Sequence, residues 1–234
     1  MTAHRHPATW LLHGGRPASR WLIRRRYDVR EHGTGRVPPQ GPLIVAANHT
    51  GVIDGPLLAI FGPRPVHALT KEEMFHGRLG PLLRVTGQVE LDRFATDLRA
   101  VRTCLHILEH GGAVGIFPEG NRGSGDLTRF RNGAAYLALV TGSPIVPLMM
   151  YGTRPTGGDK DALPARGGVI DLVYGAPFRV QRTPWPRTRS LVAATSEQLH
   201  ARMLEELAAG LAFTGQTLPG PIPGDPDSVA KDIS

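Results

Sequence analysis

The chain of 234 residues is 41% hydrophobic and carries 27 basic against 20 acidic residues, a net charge of +7. This size and hydrophobic content predict one folded domain, or one domain with appendages. The one cysteine, Cys104, excludes an intramolecular disulfide bond and fits a reducing compartment. No apolar run approaches the ~18–20 residues that span a bilayer, and the first thirty residues lack the apolar core of a secretory signal. Any contact with a membrane is therefore expected to be peripheral, and we expect it on the cytoplasmic side.

Most of the net charge lies in an N-terminal arm, residues 1–36, where eight arginines against two acidic residues leave +6 of the +7. Within it, residues 18–30 predict a short amphipathic helix in which Trp21 lies among arginines, a composition typical of membrane-interface anchors. A basic arm suits an anionic membrane surface or nucleic acid. The aromatic content of 6% and the lack of a basic face rich in stacking residues disfavour nucleic acid. A solvated arm that aids solubility is the alternative.

From residue 37 onward, apolar runs and helical periodicities alternate along the chain. Strands alternating with helices indicate an α/β fold in which helices flank a mostly parallel central sheet. Pro147 predicts a bulge or an edge in its strand. The segment 31–42 is predicted to be a linker, and 213–234, rich in Gly, Pro and Asp, a disordered tail. The predicted strands are 43–47, 66–70, 88–91, 113–117, 145–151 and 169–174, and the predicted helices are 55–61, 95–110, 133–140 and 188–210.

His49 and Asp54 lie where the first of these strands runs into the first of these helices. The carboxyl ends of parallel strands line one crevice, so polar residues at this junction are candidates for a site. On a helix, two residues five apart would point about 140° apart. The two side chains can therefore meet only in a loop, which Gly51 permits. A histidine held by a carboxylate has a fixed tautomer and acts as a general base. The alternative is that Asp54 caps the helix and His49 is an ordinary loop residue.

Three further polar blocks follow in order near later predicted strands. They are Gly87-Gln88-Val89-Glu90-Leu91-Asp92-Arg93, Phe117-Pro118-Glu119-Gly120-Asn121-Arg122-Gly123 and Val146-Pro147-Leu148. Together with His49 and Asp54 they resemble the four motif blocks of the glycerolipid acyltransferase family. The resemblance covers residues 40–152. It implies a glycerol-3-phosphate acyltransferase-like sheet, with residues 37–212 as the acyltransferase domain.

The resemblance also implies an activity: transfer of a fatty acyl group from acyl-CoA or acyl carrier protein to the hydroxyl of 1-acylglycerol-3-phosphate (lysophosphatidic acid) in phospholipid biosynthesis. Converging arginines suit the acceptor's phosphate, because a guanidinium binds phosphate through two hydrogen bonds. The acyl donor is a co-substrate, so we expect no cofactor and no metal. An anionic membrane surface is the expected further partner, and nucleic acid is not. The implied roles are general base for His49, its orientation for Asp54, and acceptor binding for Arg93, Glu119, Gly120 and Arg122.

Several alternatives stay open at this level. The same chemistry can serve another lysolipid or alcohol, and a non-catalytic protein can bind anionic lipid through the basic arm. A metal-dependent hydrolase with His49 and Asp54 as ligands would need further ligands, and the sequence contains no H-E-x-x-H motif. Glu119 is a candidate to accept from a substrate hydroxyl or to hold Arg122.

Overall fold

The chain forms an α/β fold built on one seven-stranded sheet, as the computed structural model shows for residues 10–92, residue 94 and residues 97–224. The strands are β1 (Asp28–His32), β2 (Leu43–Ala47), β3 (His67–Lys71), β4 (Val89–Leu91), β5 (Ala113–Ile116), β6 (Ile145–Tyr151) and β7 (Val169–Tyr174). The helices are α1 (Trp10–Gly14), α2 (Arg16–Arg24), α3 (Asp54–Phe61), α4 (Gly80–Val85), α5 (Leu98–Glu109), α6 (Gly133–Thr141) and α7 (Arg189–Thr214).

The strand order is β1-β7-β6-β2-β5-β3-β4. Strands β2 to β6 run parallel, whereas β7 is antiparallel to β6 and β1 is parallel to β7. Every residue of the central strand β2 is buried, which explains its uninterrupted apolar sequence. The prediction of a mostly parallel sheet flanked by helices is therefore confirmed.

The sheet separates two apolar layers, and alternate residues of each central strand enter opposite layers. In β2, Ile44 and Ala46 pack with α5, α6 and α7, whereas Leu43 and Val45 pack with α3. Each fully buried Val, Leu or Ile side chain stabilises the fold by about 1.5–3 kcal/mol relative to exposure. Because both layers bury β2, the loop that follows it begins from a rigid support.

Residues 28–32 correct the prediction for the arm. We expected a helix over 18–30 and then a linker, but α2 ends at Arg24 and β1 pairs with β7. Only Val29 of β1 is buried, so the sequence of this strand contains one apolar residue and no alternating pattern that would predict a strand. Charged residues are common on such edge strands because they discourage pairing with other chains. The sheet thus begins inside the predicted arm, and the boundary placed after residue 36 is wrong.

The C-terminal segment also differs from the predicted disordered tail. Helix α7 continues to Thr214, Leu218 packs against the layer formed with α5 to α7, and Ile222 is buried. The segment packs through isolated apolar residues among Gly and Pro, a pattern that has no helical or strand period. Residues 225–234 of the predicted tail lie outside the described residues.

Pro147 lies in an interior strand, where a missing N–H needs an irregular neighbour. The antiparallel register supplies one. It shifts by one residue between the pair Leu148–Tyr174 and the pair Ile145–Phe178. An extra residue therefore lies opposite Pro147, and the predicted bulge is confirmed while the edge position is not.

Candidate active site

The candidate site lies where the loops after β2 and β5 meet. These strands are parallel neighbours with Ala46 opposite Ile116, so their carboxyl ends reach the same edge of the sheet. The loops are joined directly, since the N–H of Gly123 donates to the carbonyl of His49 at 2.9 Å. The backbone N–H of His49 in turn donates to Oε1 of Glu119 at 2.7 Å. The site thus combines two of the polar blocks singled out in the sequence.

Asn48 fixes the start of the first loop. Its side-chain N–H group donates to the carbonyl of Met150 at 3.0 Å, and its oxygen accepts from the N–H of Met150 at 2.7 Å. These bonds extend the connection between β2 and β6 by one residue beyond β2. The next residue, His49, therefore leaves a rigid position.

His49 and Asp54 meet as the loop geometry required. Nδ1 of His49 lies 2.9 Å from Oδ2 of Asp54, and Oδ2 also accepts from the N–H groups of Thr50 and Gly51 at 2.7 and 2.8 Å. Gly51 permits the close approach of this loop to Thr153, because a Cβ at position 51 would lie 2.3 Å from the carbonyl oxygen of Thr153. The side chain of Asp54 does not cap α3, whose N-cap residue is Ile53 without a side-chain bond. The carboxylate instead organises the loop and the imidazole.

The imidazole of His49 is held on two sides. Its ring stacks on Phe117 with centroids 4.1 Å apart and planes at 20°, while Asp54 accepts a hydrogen bond from Nδ1. Its side chain keeps 20% of its exposure, whereas Asp54 is fully buried. The hydrogen bond to a carboxylate places the ring proton on Nδ1, so Nε2 is the nitrogen left to accept a proton.

Glu119 is a buried carboxyl group that supports the backbone of His49. Burial raises the pKa of Glu119 to about 8. The N–H of His49 opposes this shift, and the negative charges of Asp126 and Asp54 add to it. Glu119 thus binds the loop of His49. It does not bind Arg122, which was one of its two expected partners.

Gly120 turns the chain between Glu119 and Arg122. Its φ of 74° lies in the left-handed region that favours glycine. A Cβ at this position would lie 2.5 Å from Nε of Arg131, so a side chain there would have to displace the exposed Arg131 side chain. Gly120 therefore shapes the loop through its backbone.

Arg122 lies at a small cluster of charges with its side chain 14% exposed. Nη1 donates to the carbonyl of Lys160 at 2.5 Å and to Oδ1 of Asp161 at 2.8 Å. The Arg122 hydrogen bond and charge lower the pKa of Asp161, and the charges of Lys160 and Lys71 add to this effect. Asp161 is thus an anion held among cations on the loop between β6 and β7.

Arg93, the remaining expected substrate-binding residue, lies outside the described residues. Its neighbour Asp92 follows β4 at the edge of the sheet, and the N–H of Asp92 donates to Oδ2 of Asp97 at 3.0 Å. The assignment of Arg93 to the acceptor therefore stays a prediction.

Thr153 and Arg154 belong to the site but were not singled out in the sequence. Oγ1 of Thr153 lies 2.8 Å from Oγ1 of Thr50, and Nε of Arg154 donates to the carbonyl of Thr50 at 3.0 Å. One available signal was their position, because the predicted strand 145–151 ends just before them and its carboxyl end reaches the same crevice.

Comparison with known proteins places this geometry in a family. The model of the family described as Acyltransferase matches residues 28–151. The 1-acyl-sn-glycerol-3-phosphate acyltransferase of Bacillus subtilis (strain 168) is 26% identical over 186 residues, which are 79% of this chain and 90% of that protein. The beta form of that enzyme from Homo sapiens is 29% identical over 156 residues, 59% of this chain and 55% of its own length.

A solved structure agrees with the fold. The crystal structure of the 1-acyl-sn-glycerophosphate (LPA) acyltransferase PlsC from Thermotoga maritima superposes with a TM-score of 0.60 and 27% sequence identity. The match covers 85% of this chain and 78% of the other. Strands β1 to β6 and the loops after β2 and β5 lie within the segment that the family model matches, whereas β7 lies beyond it.

Proposed function

The chain belongs to the acyltransferase family and is an O-acyltransferase, and we propose that it acylates 1-acylglycerol-3-phosphate, a step of phospholipid biosynthesis, with acyl-CoA or acyl carrier protein as the donor. One observation carries the proposal: the 2.9 Å hydrogen bond between Nδ1 of His49 and Oδ2 of Asp54 in the loop after β2. The names of the Bacillus and human relatives support the choice of acceptor.

The proposed mechanism needs one base and no covalent enzyme intermediate. Nε2 of His49 takes the proton of the acceptor hydroxyl as its oxygen attacks the thioester carbonyl carbon. The tetrahedral intermediate then collapses, the carbon–sulfur bond breaks, and the leaving thiolate takes the proton back from Nε2. Asp54 holds the ring in the required tautomer and stabilises the imidazolium that forms in between.

The charge cluster at Arg122 supports an acceptor that carries a phosphate. Arg122 already binds a carboxylate oxygen of Asp161, and the charges of Lys71 and Lys160 act on the same group. A phosphate can replace that carboxylate with more hydrogen-bond acceptors and a larger charge. We assign Arg122 to the acceptor's phosphate through this contact, and Arg93 through the motif resemblance. Glu119 and Gly120 then act through the shape of the loop.

An acceptor panel tests the proposal. The purified protein is given one labelled acyl-CoA with 1-acylglycerol-3-phosphate, glycerol-3-phosphate, lysophosphatidylcholine or monoacylglycerol, and the products are identified by mass. We expect the highest kcat/KM with 1-acylglycerol-3-phosphate and no transfer by His49→Ala. A preference for another acceptor would overturn the substrate and leave the chemistry standing. Transfer by His49→Ala at the parent rate would overturn the mechanism.

The proposed place of action is the membrane surface, with α2 as the contact. No helix in the described part of the chain has the length and apolar character to cross a bilayer. Trp21 and Leu22 of α2 are 61% and 64% exposed, and the guanidinium of Arg25 lies 4.8 Å from the centroid of the Trp21 ring. Exposed apolar side chains beside cations are typical of a helix that lies in the interface.

Three other arginines of the arm have structural partners. Arg20 donates to the carbonyls of Ile60, Phe61 and Gly62, which end α3, and Arg16 donates to the carbonyls of Ile60 and Gly62. Such contacts satisfy the carbonyls that a helix C-terminus leaves free. Within the same stretch, Arg24 is paired with Glu31 at 2.7 Å. Fewer arginines are therefore available to bind lipid headgroups than the arginine count of the arm suggests.

A further inference from the structure

Arg154 is a buried arginine directly after β6, with 3% of its surface exposed. Among the described residues its hydrogen bonds run to backbone carbonyls. Nε donates to Thr50 at 3.0 Å, Nη1 donates to Gly158 at 2.6 Å, and Nη2 donates to Gly123 at 3.0 Å and to Gly220. One guanidinium therefore joins four separate segments of the chain.

Two of those segments carry the proposed catalytic and binding residues. Thr50 follows His49, and its N–H donates to Asp54 while its carbonyl accepts from Arg154. Gly123 donates its N–H to the carbonyl of His49 and accepts from Arg154 at its own carbonyl. Arg154 thus closes a ring of hydrogen bonds around the backbone of His49.

The other two segments bind the guanidinium through the carbonyls of Gly158 and Gly220. Gly158 lies in the loop between β6 and β7, and Gly220 lies after α7. These two segments also contact each other, because the N–H of Gly157 donates to the carbonyl of Pro219 at 2.9 Å. The C-terminal segment is in this way a structural part of the site.

The charge of Arg154 also has a partner in the site. Burial lowers the pKa of Arg154, whereas the negative charge of Asp54 raises it. Oδ1 of Asp54 is buried and has no hydrogen-bond partner among the described residues. A buried carboxylate with one such oxygen is costly unless a nearby positive charge compensates it. Arg154 supplies that charge without taking a hydrogen bond away from the imidazole.

We propose that Arg154 is a positioning residue for acyl transfer. Its guanidinium fixes the loop that carries His49 against the loop that carries Glu119 and Arg122. This inference rests on the proposed roles of His49 and Asp54. A base displaced by about 1 Å can lose about 10²-fold in rate, so we expect a loss in kcat and not in acceptor affinity.

Two variants separate the hydrogen-bonding fork from the charge. Arg154→Lys keeps a cation but cannot reach several carbonyls at once, and Arg154→Gln keeps an amide donor without the charge. Arg166→Gln, at an exposed position of the same loop, is the matched control. We expect kcat to fall about 10²-fold in both Arg154 variants, with the acceptor KM within about 3-fold of the parent and no change in the control.

A spectroscopic measurement distinguishes positioning from stability alone. The proton shared by His49 and Asp54 should give a downfield NMR signal, assigned by its loss in Asp54→Asn. We expect this signal to shift or broaden in folded Arg154 variants. A folded variant with the parent kcat and an unchanged signal would overturn the inference, and so would failure of both variants to fold, since Arg154 would then serve stability.

His49→Ala keeps this test separate from the proposed function. If that variant is inactive while the Arg154 variants match the parent, only the role of Arg154 fails. If His49→Ala is itself active, the proposed mechanism fails first.

Discussion

The backbone N–H of His49 donates a 2.7 Å hydrogen bond to Oε1 of Glu119, a residue that is 70 positions away in the sequence. Since burial raises the pKa of Glu119 to about 8, this carboxyl group is neutral at neutral pH and accepts the bond without a full charge. The site thus holds the carboxyl group of Asp54 against the imidazole and that of Glu119, whose pKa is raised, against the backbone. Burial favours the neutral form of a carboxyl group, because the charged form loses its hydration.

The first prediction concerns stability and pH. The folded protein holds the Glu119 proton up to about pH 8, whereas an unfolded chain releases it near 4.5. The contribution of this proton to the free energy of unfolding is therefore complete below about 4.5 and is lost as the pH rises to about 8. Glu119→Gln keeps an acceptor for His49 and removes the titration. We expect the variant to gain stability relative to the parent between pH 5 and pH 8, measured by denaturant unfolding at each pH.

The control is Glu197→Gln, at an exposed position of α7. Its stability difference from the parent should not follow the curve of Glu119→Gln. A pH-independent difference between Glu119→Gln and the parent would show that Glu119 titrates alike in the folded and unfolded states.

The sheet was predictable where burial leaves a continuous apolar signal. Strand β2 is buried on both faces, and α5 buries residues at steps of three and four, so both appear in the sequence pattern. Strand β1 buries only Val29. The segment after α7 buries Leu218 in part and Ile222 almost fully, and these isolated residues form no periodic pattern. These two segments depend on the completed sheet and core, which local periodicity does not encode.

The site divides in the same way. His49 and Asp54 are five residues apart, so their meeting followed from loop geometry. The contact between His49 and Glu119 depends on the register of β2 and β5. Arg154 was missed because its acceptors lie up to 104 positions away and have no side-chain signature. The arginine content of the arm does not show which arginines face solvent. Arg20 donates to the carbonyls of Ile60 and Phe61, which only the tertiary structure brings near.

The second prediction tests the base and its partner. His49→Ala should lower kcat by about 10²–10⁴-fold, the usual contribution of a general base, with little change in the thermal midpoint. Asp54→Asn should also lower kcat, because an amide can hold the ring in the wrong tautomer. Steady-state kinetics and thermal unfolding of the purified variants measure both effects. His76→Ala, at an exposed histidine, is the control. A stable, fully active His49→Ala protein would remove His49 from the mechanism.

The third prediction concerns the acceptor's phosphate. Arg122→Ala should lower kcat/KM for 1-acylglycerol-3-phosphate by roughly 10- to 150-fold, because a lost charged hydrogen bond costs about 1.5–3 kcal/mol. The KM of the acyl donor and the rate with monoacylglycerol, which has no phosphate, should stay near the parent values. If the donor KM rises instead, Arg122 belongs to the donor side of the site.

A companion prediction addresses Asp161, whose side chain is 81% exposed. Asp161→Asn removes the anion that a phosphate must displace from Arg122, so the acceptor KM should fall. The change should be no more than about 5-fold, since exposed ion pairs contribute about 0.2–1 kcal/mol. Asp159→Asn, in the same loop, is the control. A rise in the acceptor KM would show that Asp161 helps to build the phosphate site.

The last prediction concerns the membrane, and point variants test it more sharply than a deletion. Removing the arm would also remove β1 and the arginine side chains that bind the carbonyls at the C-terminus of α3. The double variant Trp21→Ser and Leu22→Ser changes only exposed side chains and should lower binding to anionic vesicles by about tenfold or more, since each large apolar side chain is worth about 1.5–3 kcal/mol when buried. Activity on a short-chain, water-soluble acceptor should remain.

Arg25→Ser should remove part of the salt-dependent binding, because salt screens the attraction between an arginine and anionic headgroups. Co-sedimentation with vesicles at low and high salt measures both variants, and Trp185→Ser, at an exposed tryptophan in the loop before α7, is the matched control. Equal binding by the double variant and the parent would move the contact away from α2. The exposed Leu79, just before α4, and Leu82, within this helix, would then be the next surface to change, since α4 contacts α1.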